Sequence, residues 1–171
     1  MVSEDNDSSD VPVALIDTGC TRCMHGKRWR VLFEVKCLHP RGLKIKMTDR
    51  WRSFSSAFGR RQEGRVVEIP VALGGRRGVI FSTEMEDCDT PLLVSLASQE
   101  ALGAVLHLRE MRMELQTLAV DVQLLKVGGH LAVRLDDWGD DGHQSAVASS
   151  TGPVTAVSEN RDSEFYLVQA L

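Results

Sequence analysis

Apolar residues fall in short runs and strict alternations along this chain rather than in long helical stripes. Val11-Pro12-Val13-Ala14-Leu15-Ile16 is a continuous run of strand length. It reads as a buried strand. It ends in Asp17-Thr18-Gly19, a carboxylate, a hydroxyl and a glycine where a strand gives way to a tight loop. From Cys20 to about Leu38, the residues Met24, Val31, Val35 and Leu38 stand near helical spacing. This predicts a helix whose first turn is weakened by Gly26. His39-Pro40-Arg41-Gly42 is a turn, and Leu43, Ile45 and Met47 then alternate with Lys44, Lys46 and Thr48 as a half-exposed strand.

Strand signals continue through the rest of the core. Phe54 and Phe58 lead into Gly59-Arg60-Arg61-Gln62-Glu63-Gly64, a polar hairpin tip bounded by glycines. Val67, Ile69, Val71 and Leu73 alternate, Gly74-Gly75-Arg76-Arg77-Gly78 turns the chain, and Val79, Phe81 and Thr83 return. After the loop Asp87–Pro91 and the short apolar run Leu92-Leu93-Val94, Ser98 to Leu102 predicts one helical turn closed by Gly103. Ala104–Leu108, Met111–Leu115, Leu118–Leu124 and Leu131–Leu135 are further strands. Many short strands at this rhythm predict an all-β, closed or sandwiched domain.

The chain has 171 residues, enough for one domain with tails. Three parts are expected: an acidic tail over 1–10, a domain over 11–138, and an acidic, Ser/Gly-rich tail over 139–171. Aromatic residues make up 5%, so the core must be aliphatic. No apolar run reaches the length of a membrane helix, and Met1 to Asp10 lacks the pattern of a signal peptide. Four cysteines without a secretory signal predict reduced thiols and a cytoplasmic setting. The net charge of −4 hides an asymmetry: Arg22 to Arg65 carries 13 bases against three acids. Leu135 to Leu171 carries seven acids against Arg161. The basic stretch reads first as a solvated face, with nucleic acid or an acidic partner as the functional alternative.

Several residues carry candidate chemistry. Asp17 is a candidate acid or base, and its structural alternative is to cap a helix starting near Cys20. Cys20-x-x-Cys23-x-His25 has the spacing of half a metal knuckle, with no second pair to complete it. Buried thiols are the expected use, and no metal or cofactor is predicted. Trp29 and Trp51 stand among bases. Core or dimer packing is their expected role, ahead of stacking on nucleic-acid bases.

From Val11 to about Leu115 the chain resembles the retropepsin-like aspartic proteases of retroviruses and retrotransposons. An apolar strand before Asp17-Thr18-Gly19 is similar to that family's catalytic loop, and the Gly59–Gly64 hairpin falls where its flap stands. Thr90-Pro91-Leu92-Leu93-Val94-Ser95, a short helix, and Leu102-Gly103-Ala104-Val105-Leu106-His107-Leu108 resemble its second structural signature. The family usually has alanine or serine at Cys20 and glycine at Ser95.

The resemblance implies a closed β-barrel half-domain with one or two short helices that pairs as a twofold homodimer. It implies an aspartic endopeptidase of retroelement origin acting on an extended peptide or its parent polyprotein. Asp17 would supply one carboxylate of a dyad, Thr18 would bond across the interface, and Gly19 would allow close backbone approach. Gly59, Arg60, Arg61, Gln62, Glu63 and Gly64 would close over the substrate. The alternative is a binding or assembly module that keeps the fold and dimer and has lost turnover through Ser95 and Cys20.

Overall fold

The computed structural model describes residues 11–55, 59–86 and 88–139, with the backbone of 155–156 and 165–167. The predicted alternations become strands. β1 (Ala14–Ile16) lies at the centre, parallel to β6 (Leu92–Val94) on one side, with Ala14 opposite Leu92 and Ile16 opposite Val94. On its other side β10 (His130–Val133) runs antiparallel. β10 continues into the meander of β9 (Val120–Val127), β8 (Arg112–Leu115) and β7 (Ala104–His107).

Beyond β6 the sheet takes in β2 (Met24–Gly26), which pairs antiparallel with β6 and parallel with β5 (Arg76–Met85). β5 carries the long strand β4 (Arg61–Leu73), and β4 carries β3 (Lys46–Ser55). The backbone of β12 (Phe165–Leu167) also pairs with β5, so part of the expected tail joins the sheet, with β11 (Thr155–Ala156) outside it. Such tight pairings leave no room for a side chain at certain glycines. A Cβ on Gly64 would stand 2.7 Å from Thr83 Cγ2, and one on Gly26 would stand 2.9 Å from the nitrogen of Thr90.

The expected closed barrel is not formed. The strand path is open, running out through β7 at one end. Among the described residues β4 meets the segment after β10 in one parallel bridge, Ala72 to Asp136. Ala72 N–H donates to Leu135 O at 2.7 Å and Gly75 N–H to Asp137 O at 2.9 Å. The all-β expectation holds at the level of a mostly β fold with two α-helices.

The helix expected over Cys20–Leu38 is split. Cys23 O accepts from Thr83 N–H at 3.0 Å, and Met24–Gly26 fills the slot between β5 and β6 as a strand. α1 (Lys27–Phe33) starts only after Gly26 and continues as a π-helical turn, Glu34–Leu38. Its buried face is Trp29, Phe33 and Cys37, at i, i+4 and i+8, while Val31 and Val35 are exposed. Trp29 and Phe33 stack with ring centroids 4.9 Å apart, and Trp29 Nε1 donates to Val13 O at 2.7 Å. A stack of this kind is worth about 0.5–1.5 kcal/mol beyond the area it buries. α2 (Leu96–Leu102) starts two residues earlier than expected, because Ser95 caps it by accepting from Ser98 N–H. Gly103 closes it in the left-handed conformation with φ 60°, which glycine adopts without Cβ strain.

Candidate active site

β1 delivers Asp17 to the surface. Ala14 is fully buried, Asp17 is half-buried, and Thr18 and Gly19 are exposed. Asp17 N–H donates to Val94 O at 3.2 Å, and Leu96 N–H donates to Cys20 O at 3.0 Å. The loop is therefore pinned at both ends to the stretch that leaves β6. Inside it, Asp17 Oδ1 accepts from Gly19 N–H at 2.9 Å, and Asp17 O accepts from Cys20 N–H at 3.3 Å. No helix starts at Cys20, so Asp17 is not a helix cap. It is an outward carboxylate whose orientation is fixed by its own turn.

A buried layer supports this loop. Val94 O, which receives Asp17 N–H, also accepts from Gln99 Nε2 at 2.9 Å. Cys23 Sγ lies 3.2 Å from Ser98 Oγ and accepts from Ser95 N–H at 3.4 Å, and Ser95 Oγ lies 3.2 Å from Ser98 Oγ. Ser95 and Ser98 are fully buried. The Ser95 hydroxyl thus turns toward Cys23 and its own helix. Gln99 carries no motif in the sequence. Its place one turn into α2, behind Val94, is visible only in three dimensions.

Next to this layer is a buried polar network. His25 Nδ1 lies 2.8 Å from Ser82 Oγ, and Nε2 lies 3.4 Å from Glu84 Oε2. Arg30 Nε bonds the same Glu84 oxygen, and Arg30 Nη1 lies 3.5 Å from Glu34 Oε2. Glu34 Oε1 accepts from Ile45 N–H at 3.3 Å. Burial lowers the pKa of His25, against the pull of Glu84. Burial alone would raise that of Glu84, but hydrogen bonds from His25 and Arg30 outweigh it and hold the carboxyl below its ordinary value. Serine, histidine and glutamate stand in line here, yet Ser82 and His25 are both fully buried and no substrate can reach the hydroxyl. The network joins β2, α1 and β5.

The half-knuckle does not assemble. Cys20 Sγ bonds Arg22 O at 2.7 Å, Cys23 faces Ser95 and Ser98, and His25 faces Ser82 and Glu84. Among the described residues no group of three metal-ligating side chains converges. The four cysteines are free thiols. Burial, with Asp136 nearby, pushes the Cys37 thiol up to about 12, so it is not a nucleophile at neutral pH. His107 lies 3.4 Å from Glu114 and 3.5 Å from Glu110, an ion-pair partner set on a strand rather than a metal site.

The expected flap tip is shifted. Arg61, Gln62, Glu63 and Gly64 belong to β4, and Gly64 is buried opposite Arg52. The turn of the hairpin lies between Ser55 and Arg61, where Gly59 and Arg60 are exposed, while residues 56–58 lie outside the described ones. The register explains the shift: Ser55 pairs with Arg61, so Arg61, Gln62 and Glu63 extend an arm rather than cap it. Gly64 lies against Thr83, and Thr83 bonds Cys23.

Among the described residues no helix is long and apolar enough to cross a membrane. Compared with family models, curated proteins and solved structures, the chain matches none.

Proposed function

We propose that this chain is one half of a retropepsin-like aspartic endopeptidase, with Asp17 as its one catalytic carboxylate. The observation that carries this reading is the Asp17 turn. A carboxylate stands at the surface end of a partly buried strand, held by Gly19 N–H at 2.9 Å and braced from behind through Val94. A second Asp17, from a twofold-related copy, completes the dyad. Two carboxyls that close share one proton and titrate as a unit. The ionised one takes a proton from water as its oxygen attacks the scissile carbonyl carbon, and the protonated one donates to the carbonyl oxygen. Proton transfer to the amide nitrogen then releases the two peptide ends.

The substrate is an extended peptide, such as a retroelement polyprotein, lying between the loop and the β3–β4 hairpin. Ser95 and Cys20, the two departures from the family pattern, engage Cys23, Ser98 and Arg22. This favours an active enzyme over a module that has lost turnover. A peptide-library cleavage assay at mildly acidic pH tests the reading. Wild type should cleave and Asp17→Asn should not, while both melt alike, since the amide oxygen still accepts from Gly19. Cleavage retained in Asp17→Asn, or absent from wild type, overturns it.

A further inference from the structure

We propose that the β3–β4 ribbon binds single-stranded nucleic acid, with Trp51 as a stacking platform and arginines as phosphate contacts. The two tryptophans that sit among bases in the sequence part company in the fold. Trp29 is 5% exposed and belongs to the core, whereas Trp51 is 61% exposed on β3. Directly across the ladder from Trp51 stands Arg65, whose guanidinium carbon is 5.6 Å from the ring centroid. Aromatic faces and guanidinium planes are the groups on which unpaired bases stack, whatever their sequence.

The charge of the ribbon points to the same ligand. From Lys46 to Arg65 there are six bases and two acids, a net +4 on a chain whose total is −4. Trp51 is flanked in sequence by Arg50 and Arg52. Arg50 reaches over Phe81, with its guanidinium carbon 4.9 Å from that ring, and Arg61 bonds Ser53 Oγ at 3.1 Å. From Trp51 on the ladder is regular, so Trp51 shares its face with Arg65, Glu63 and Arg61 across the strands, while Arg52, opposite Gly64, points to the other face. Among the described residues β3 pairs only with β4. Ten extended residues span about 30 Å, room for a few nucleotides. An acidic polypeptide would match the charge but would make no use of the exposed ring, so nucleic acid is the better occupant. The proposal does not depend on Asp17.

The experiment is fluorescence anisotropy of the full chain with labelled oligo-dT and oligo-U about 15 nucleotides long, across a salt series. Affinity should fall as salt rises, with a log–log slope of about −0.7 per phosphate contacted. Trp51→Ala should weaken binding at least about fivefold, the loss of one base stack, and Trp51→Phe should recover most of it. Arg61→Gln with Arg65→Gln, the two bases on the Trp51 face, should shrink the slope by about 1.4. Asp17→Asn should leave binding unchanged. Absence of salt-dependent binding, or equal binding by wild type and Trp51→Ala, overturns the proposal. So does a poly-glutamate peptide that displaces the oligonucleotide and binds the Trp51→Ala variant as well as wild type, which would make the ribbon an acidic-peptide site.

Discussion

His25 Nε2 stands 3.4 Å from Glu84 Oε2, and neither side chain is open to solvent. The pair carries a pH dependence whose sign follows from burial. In the unfolded chain His25 takes up a proton below its ordinary pKa of 6.5, and in the fold burial keeps it neutral to lower pH. The unfolded state therefore binds more protons in that window, and stability falls as pH drops from about 6.5. Glu84, held below its ordinary 4.5, adds to the loss at lower pH still. Thermal melts should show wild type losing stability between about pH 7 and 5. His25→Gln should melt lower at neutral pH but with a flatter dependence over that range. Equal slopes in the two proteins would remove His25 as the source.

Ser95 caps α2, so its replacement should cost stability rather than release activity. Ser95→Ala removes the acceptor for Ser98 N–H and should destabilise by about 1 kcal/mol. For a domain of this size that lowers Tm by about 2–4 °C. Ser95→Gly should likewise give no gain in turnover, because the hydroxyl faces Cys23 and Ser98. A faster glycine variant in a kinetic comparison would show instead that the serine crowds the loop.

Gly19 sets the position of the carboxylate. A Cβ there would stand 3.2 Å from Asp17 Oδ1, tight enough to push the side chain off its bond with Gly19 N–H. Gly19→Ala should therefore reduce kcat by on the order of tenfold to a hundredfold, the effect of a sub-ångström to 1 Å misplacement. Its Tm should change little, since the residue is exposed. A variant with full turnover would separate the Asp17 turn from the chemistry.

If each copy supplies one Asp17, specific activity is concentration-dependent. Dilution through the dissociation range should reduce activity per chain, in step with dimer measured by sedimentation. A monomer that remains fully active would exclude a shared dyad.

Much of the strand arrangement is legible along the chain. Alternation at Val67–Leu73 and Val79–Thr83 marks β4 and β5, and the run before Asp17 marks β1, because a half-buried or buried strand leaves a period-2 or continuous apolar trace. The Asp17-Thr18-Gly19 loop is legible for the same reason: a strand ending in a carboxylate and a glycine is a local event. The helix over Cys20–Leu38 is misread in two ways. Met24–Gly26 is drawn into a strand by backbone partners in β5 and β6, which local spacing cannot register. The helical face that Val31 and Val35 suggest is exposed, because Trp29, Phe33 and Cys37 on the opposite face turn into the core.

The sequence by itself determined a mostly β chain, the loop that carries Asp17, and the basic stretch before Arg65, since each depends on neighbouring residues alone. Tertiary structure alone decided that the sheet stays open, that Ser95 and Gln99 brace the loop from behind, that His25 is buried against Glu84 rather than exposed beside Cys23, and that Trp51 faces solvent while Trp29 is buried. Those outcomes depend on which strands meet and in which register. A shift of one residue in pairing reverses every side chain on a strand, and no local pattern records the partner's choice.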